Sequence, residues 1–185
     1  MKDTLISRRE FLKDIGMIGA GVLLSASPWL SAFSEVVETS GEKCRLAIIG
    51  PGSRGRFLMS FLVQNPKVEI VALCDIYQPS IEKALELAPK AKVYDDYREI
   101  LEDKTVDAVL VATPLNSHCQ IVLDAFDAGK HVFCEKSIGF TMEECFRIYN
   151  KHISTEKVFF TGQQRLFDPR YICLLYTSPS PRDIS

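Results

Sequence analysis

The fold is decided by residues 44–62, CRLAIIGPGSRGRFLMSFL. The first six residues are mostly apolar and predict a buried β-strand, and the apolar spacing at the end of the stretch predicts a helix. Between them lies Gly50-x-Gly52-x-x-Gly55. Gly50 suits a tight turn, Gly52 lets a pyrophosphate approach the backbone, and Gly55 allows helix and strand to pack closely. Strand, glycine turn and helix in this order predict a dinucleotide-binding site.

A carboxylate follows the next predicted strand, VEIVALCD, which ends in Asp75. At that position a carboxylate can accept both hydroxyls of an adenosine ribose and repel a 2′-phosphate, which favours NAD over NADP. Arg54 is a nearby cation that leaves NADP possible, and Ser53 and Arg54 begin the helix whose N–H groups would face the phosphates. The alternatives without a cofactor are a plain tight turn and a strand-end cap at Asp75.

Strands and helices alternate along the rest of the chain, as a doubly wound parallel sheet requires. Further strands are predicted around 92–94 and within 106–113, 130–136 and 157–162. The spacing predicts helices within 79–88 and 95–103, one running to Ala128 and one after Thr141. Ser117 with Gln120, and Thr141 with Glu144, have the spacing of capping boxes. The predicted class is α/β with a Rossmann-type sheet.

Ligands of open parallel sheets bind at the carboxyl ends of the strands, so the polar residues at those ends are candidates for one shared site. Beyond the glycine turn, the candidates are Asp75, Thr113, Pro114, Asn116, His118, Glu135, Lys136 and Gln164.

Composition narrows the partners of the protein. The 185 residues have a formal net charge of −2 with no basic stripe, which gives no indication of nucleic-acid binding. The six cysteines have no Cys-x-x-Cys pair or zinc-like spacing, so we expect no metal site and interpret them as small, mostly buried apolar residues with free thiols.

The N-terminal segment resembles an export signal. Residues 7–13, SRREFLK, precede a weakly hydrophobic, glycine-containing stretch, as in twin-arginine signal peptides. We predict a signal over 1–33, a polar linker over 34–42 and a folded domain over 43–171. A membrane anchor is the alternative, which the glycines and Pro28 disfavour. The predicted location is periplasmic or otherwise exported, through the twin-arginine machinery.

Four segments in order resemble the family of glucose-fructose oxidoreductase, inositol dehydrogenase and MocA (Gfo/Idh/MocA). They are the glycine turn, VDAVLVATPLNSH, DAGKHVFCEKSIGFTMEE and TGQQRLFDPRY. The resemblance implies an NAD(P)-binding Rossmann domain followed by a substrate-binding α/β domain, a sugar or polyol substrate, and a homo-oligomeric full-length protein. It also implies that the Glu135-Lys136 pair places a lysine beside nicotinamide and substrate, and that His118 lies near the cofactor.

Lys136 is the predicted catalytic residue, because an ammonium there can stabilise negative charge developing on oxygen during hydride transfer. A surface lysine after a strand is the alternative. The chain departs from the family at Ser137, where proline is usual, which leaves the Lys136 backbone less constrained.

The predicted function is therefore the cofactor-binding part of an exported NAD(P)-dependent oxidoreductase acting on a sugar or polyol. One alternative is an NAD-dependent glycoside hydrolase of related fold, in which transient oxidation of the sugar labilises the glycosidic bond. A noncatalytic NAD-binding protein is the third.

The C-terminal residues 172–185 do not continue the family pattern. Cys173 to Asp183 resembles, at every residue, the translation of a transposase adapter used in DNA library preparation. We therefore interpret this tail as non-native. On that interpretation the second, substrate-binding domain is missing by truncation, and this fragment alone is expected to be inactive.

Overall fold

The computed structural model describes residues 43–163, 168–171 and 173. The predicted signal and linker, Gln164 and nearly all of the predicted tail lie outside the described residues, so those expectations stay predictions.

Six parallel strands form one sheet with helices between them, which confirms the predicted α/β class. The strands are β1 (Cys44–Ile49), β2 (Val68–Cys74), β3 (Lys92–Tyr94), β4 (Ala108–Val111), β5 (His131–Cys134) and β6 (Phe159–Thr161). The helices are α1 (Ser53–Leu62), α2 (Gln78–Leu85), α3 (Tyr97–Glu102), α4 (Leu115–Asp127) and α5 (Met142–Ile153). All the predicted strands and helices are present.

The strand order is β3-β2-β1-β4-β5-β6, so the direction of winding reverses between β1 and β4. Ile49 pairs with Cys74 on one side and with Val111 on the other, which brings the ends of three strands level. All four residues of β4 are buried, as expected for a central strand covered on both faces. The gap between the ends of β1 and β4 is therefore the switch point at which such sheets bind ligands.

The two predicted capping boxes have different outcomes. Thr141 and Glu144 form the reciprocal pair at the start of α5, as predicted. The prediction at Ser117 and Gln120 is wrong, because α4 begins earlier, at Leu115. The Ser117 hydroxyl instead donates to the backbone carbonyl of Pro114, three residues earlier. Serine hydroxyls often bond to nearby backbone groups in this way instead of capping a helix.

The cysteines among the described residues are free, and four of the six are buried, as predicted for small apolar residues; the four are Cys44, Cys74, Cys119 and Cys134. Cys145 is half-buried and Cys173 is exposed. In the part of the chain that the structure describes, no helix combines the length and apolar character needed to cross a bilayer.

Candidate cofactor-binding site

The three glycines of the turn differ in what a side chain would meet. Gly50 has φ +84°, and a Cβ there would lie 2.7 Å from the backbone nitrogen of Thr113. A Cβ at Gly55 would lie 2.5 Å from the carbonyl oxygen of Gly50. A Cβ at Gly52 would meet no atom within 4 Å. Gly50 and Gly55 are therefore needed by the fold, whereas Gly52 borders open space in front of the N-terminus of α1, where a phosphate would fit.

The turn opens onto a cleft of about 760 Å³ at the carboxyl ends of β1 to β4. Six predicted site residues line this cleft, namely Gly50, Gly52, Asp75, Thr113, Pro114 and Asn116. The structure thus brings together the predicted phosphate-binding turn and the predicted ribose-binding acid. This is the end of the sheet at which dinucleotides bind in doubly wound folds.

Asp75 is half-buried directly after β2. Its Oδ1 accepts a hydrogen bond of 2.9 Å from the backbone N–H of Tyr77, which holds the carboxylate at the cleft. A carboxylate oxygen has more than one acceptor site, so both oxygens keep capacity for ribose hydroxyls. Ile76 is 99% exposed on the same wall, an apolar surface suited to an adenine ring.

Sequence reasoning missed the group that follows β3. Asp95, Asp96, Tyr97 and Arg98 also line the cleft. Asp96 caps α3 by accepting from the Arg98 backbone N–H at 2.9 Å, and this hydrogen bond is the main cause of the lowered pKa of Asp96. The strand-end rule applied to β3 would have found this group, since β3 ends at the same rim as β2.

Negative charge accumulates at this end of the cleft. Burial, together with the nearby carboxylates of Asp96, Asp75 and Asp95, raises the pKa of the Cys74 thiol to about 11. Arg98 forms an ion pair with Asp96 at 3.0 Å. Three carboxylates and one paired cation therefore line this end of the cleft, beside the predicted ribose-binding acid.

Arg54 points away from that region. Its Nε donates to Glu135 Oε1 at 2.7 Å, beyond the end of β5. The ends of β2 and β5 are three strand spacings apart, or about 14 Å. Arg54 is therefore too far from Asp75 to pair with a 2′-phosphate there. Its position gives no support to the idea that Arg54 would help the site to bind NADP.

His118 is 2% exposed, and both ring nitrogens face backbone carbonyls. Nδ1 lies 2.7 Å from the Ser137 oxygen and Nε2 lies 2.8 Å from the Thr113 oxygen. With no free nitrogen for a ligand, His118 joins the loops after β4 and β5, and direct cofactor contact stays a prediction.

Glu135 and Lys136 lie next to each other after β5 but in different surroundings. Glu135 is 5% exposed, whereas Lys136 is exposed. The Lys136 backbone N–H donates to Glu135 Oε2 at 3.1 Å. Within the described ranges the Lys136 ammonium has no hydrogen-bond or ion-pair partner, and the peptide bond to Ser137 is cis. The ammonium is therefore available to a ligand on this half of the rim.

The donor groups present do not suggest a metal. Among residues 43–163, 168–171 and 173, no three His, Cys, Asp or Glu side chains are grouped so that they could hold an ion.

A family model described as "Oxidoreductase family, NAD-binding Rossmann fold" matches residues 44–163. A glycosyl hydrolase family 109 protein of Stenotrophomonas maltophilia is 34% identical over 162 residues, which are 81% of this chain and 34% of that protein. An alpha-N-acetylgalactosaminidase of Shewanella oneidensis is 31% identical over 174 residues, covering 82% of this chain and 38% of that protein.

Solved structures match the same region. The myo-inositol dehydrogenase of Lactobacillus casei, solved with NAD(H) and myo-inositol, has a TM-score of 0.66 at 33% identity, over 69% of this chain and 38% of that one. An NAD-binding protein of Listeria innocua has a TM-score of 0.64 at 33% identity, over 70% of this chain and 38% of that one. The chain spans about a third of the length of the curated relatives that it matches.

Proposed function

Because this chain belongs to the Gfo/Idh/MocA family of NAD-binding oxidoreductases, we propose that it is the N-terminal cofactor-binding part of an exported enzyme that transfers a hydride between nicotinamide and a sugar or polyol. The observation that carries the proposal is the cleft at the switch point of the sheet. One wall is the glycine turn, with open space at Gly52, and another carries Asp75. This arrangement fits a pyrophosphate and an adenosine ribose.

The remaining half of the rim would take the nicotinamide, whose ring accepts or gives a hydride when the cofactor is bound. Lys136 is the exposed cation on this half. Its ammonium would hold the reacting hydroxyl and stabilise negative charge on that oxygen. Glu135, next to it, already accepts from Arg54 through Oε1 and from the Lys136 backbone N–H through Oε2.

The acidic end of the cleft supports NAD as the preferred cofactor. A 2′-phosphate would approach Asp75, Asp95 and Asp96, and Arg98 is already paired with Asp96. Like charges repel, so the carboxylates would weaken the binding of a 2′-phosphate, whereas a ribose hydroxyl can donate to the same carboxylates.

Calorimetric titration of the 185-residue chain with NADH and NADPH tests this proposal. We expect NADH to bind at least tenfold more tightly, and Asp75→Ala to reduce that preference. Glu69→Ala is the control, because Glu69 lies in β2 near the opposite edge of the sheet. Lack of NADH binding by a folded chain would refute the proposed function, and equal binding of NADPH would refute the cofactor preference alone.

A second candidate is an NAD-dependent glycoside hydrolase. It is favoured by the curated relatives, which include proteins named as glycosyl hydrolase family 109 and as an alpha-N-acetylgalactosaminidase. The presence of Lys136 favours the dehydrogenase. Both candidates need the substrate-binding part that makes the relatives longer, so this chain alone should bind NAD(H) without converting a sugar.

The two candidates differ in their products. The test uses a protein that contains this chain and the further region present in its longer relatives. If it is a dehydrogenase, it should reduce NAD⁺ in proportion to the sugar that it oxidises. Release of an aglycone from an N-acetylgalactosaminide with no net change in NADH absorbance would instead identify the glycosidase.

Export is proposed from the SRREFLK segment alone. A reporter fused to residues 1–42 should reach the periplasm, and replacement of Arg8 and Arg9 by lysine should retain it in the cytoplasm. Export of the double variant at the normal rate would refute the twin-arginine assignment.

The nucleotide sequence that encodes residues 173–183 tests whether the tail is non-native. Codons that differ from the adapter at synonymous positions would show that these residues are native.

A further inference from the structure

A partly buried ion pair joins the glycine turn to the loop that carries Lys136, the proposed catalytic residue. Arg54, in the first turn of α1, donates from Nε to Glu135 Oε1 at 2.7 Å. The Glu135 side chain is 6% exposed, and the Arg54 side chain is 37% exposed. A buried carboxylate needs a partner of opposite charge, so the position of Glu135 depends on Arg54.

The other oxygen of Glu135 fixes the backbone beside it. Oε2 accepts from the Lys136 backbone N–H at 3.1 Å. Gly162, directly after β6, packs against another side of the Glu135 carboxylate. The contact is so close that a Cβ at Gly162 would lie 2.9 Å from the carboxylate atoms. The carboxylate is therefore confined between α1, the Lys136 backbone and the end of β6, and it cannot turn towards a ligand.

We propose that Arg54 and Glu135 are positioning residues, not cofactor ligands: they act as a unit that holds the backbone of Lys136 and thereby places the Lys136 ammonium in the nicotinamide half of the site, relative to the phosphate-binding turn. This inference rests on the proposed cofactor binding. It reassigns two residues that the sequence alone suggested as direct contacts. The adenosine half does not depend on the pair, because neither residue lines the cleft that contains Asp75.

The test compares a whole cofactor with its adenosine half. NADH and ADP-ribose are titrated into the 185-residue chain and into Arg54→Met and Glu135→Gln. We expect each variant to raise the Kd of NADH about fivefold to tenfold and to change the Kd of ADP-ribose less than twofold. The double variant should lose no more NADH affinity than either single variant, since each breaks the same link.

Matched controls come from a second pair at the amino ends of the central strands β1 and β4, opposite the cleft. Arg45, at the start of β1, pairs with Asp107 at 2.8 Å, with side-chain exposures of 40% and 31%. Arg45→Met and Asp107→Asn should lower the melting temperature without changing the ratio of the two Kd values. The Kd ratio therefore separates positioning from a general loss of stability.

A further variant tests whether the pair acts through Lys136. In a Lys136→Ala background, Arg54→Met should change the NADH to ADP-ribose ratio by less than twofold. An undiminished effect in that background would overturn the inference, as would equal weakening of both ligands by Arg54→Met, which would make Arg54 a phosphate ligand. Equal Kd values of the unmodified chain for NADH and ADP-ribose would also overturn it. Binding of neither ligand by the folded chain would refute the proposed function itself.

Discussion

Replacing Gly52 and Gly55 by alanine, one at a time, should separate cofactor binding from stability within a single turn. The two glycines are three residues apart, and each change adds one methyl group. At Gly52 the added carbon enters space with no atom within 4 Å, whereas at Gly55 it lies 2.5 Å from the Gly50 carbonyl oxygen. We expect Gly52→Ala to fold normally and bind NADH poorly, and Gly55→Ala to be destabilised.

The magnitudes follow from these contacts. A carbon and an oxygen normally approach no closer than about 3.3 Å, so Gly55→Ala must move the turn or α1 by nearly 1 Å, and such overpacking costs about 1–3 kcal/mol. Helix propensity returns up to about 1 kcal/mol, so the net loss lies between about 0 and 3 kcal/mol, and its middle value of about 1.5 kcal/mol would lower the melting temperature by roughly 4–8 °C. Gly52 is the N-cap of α1 with extended backbone, where alanine costs less than about 1 kcal/mol.

Thermal unfolding followed by circular dichroism measures stability, and calorimetry with NADH measures binding. Gly52→Ala should raise the Kd of NADH at least tenfold, because its methyl group occupies the space needed by the pyrophosphate. Normal NADH affinity in Gly52→Ala would refute the assignment of that space to a phosphate. Unchanged stability in Gly55→Ala would refute the argument from close packing.

Three further predictions concern stability and reactivity. Thr141→Ala removes the capping box of α5 and should lower the free energy of unfolding by about 0.5–2 kcal/mol, measured by urea denaturation. Burial, reinforced by Lys157, lowers the pKa of His131, whose Nδ1 accepts from the Val158 N–H at 3.0 Å. The unfolded chain then binds the proton more readily, so stability should fall as the pH decreases from about 6.5, and His131→Asn should show a smaller decrease in pH-dependent urea denaturation. Burial raises the pKa of Cys134 to about 12, so this thiol should react with a disulfide reagent at pH 8 only after denaturation, as mass spectrometry of the labelled chain will show.

The fold was largely predictable because its signals are local. Each strand is a short apolar run, and the glycine turn and Asp75 lie at fixed distances from strand ends. The six strands and five helices follow from these signals, as does the grouping of Asp75 with the turn. The error at Ser117 is also local, because a hydroxyl near a helix start can bond to several backbone groups, and spacing alone does not say which.

The connections between distant segments were not predictable in the same way. Arg54 and Glu135 are 81 positions apart, and no periodicity links a residue on α1 to one after β5. The two ring nitrogens of His118 face carbonyls from two different loops. Its residue type and position in the sequence therefore do not show whether it contacts a ligand or holds the loops together. The roles of such residues can be assigned only from the three-dimensional structure, because they depend on which hydrogen-bond partners each side chain already has.

The two halves of the rim differ in how their polar groups are held, and this difference has a consequence for binding by this chain. On the adenosine side, the turn and Asp75 are fixed by backbone contacts within the described domain. On the nicotinamide side, the Glu135 carboxylate is fixed, but the Lys136 ammonium has no partner among the described residues. Most of the affinity of this chain should therefore come from the adenosine half, because preformed groups lose little conformational freedom on binding. The lysine must be ordered by the ligands themselves, and in the longer relatives a sugar or polyol would be one of them.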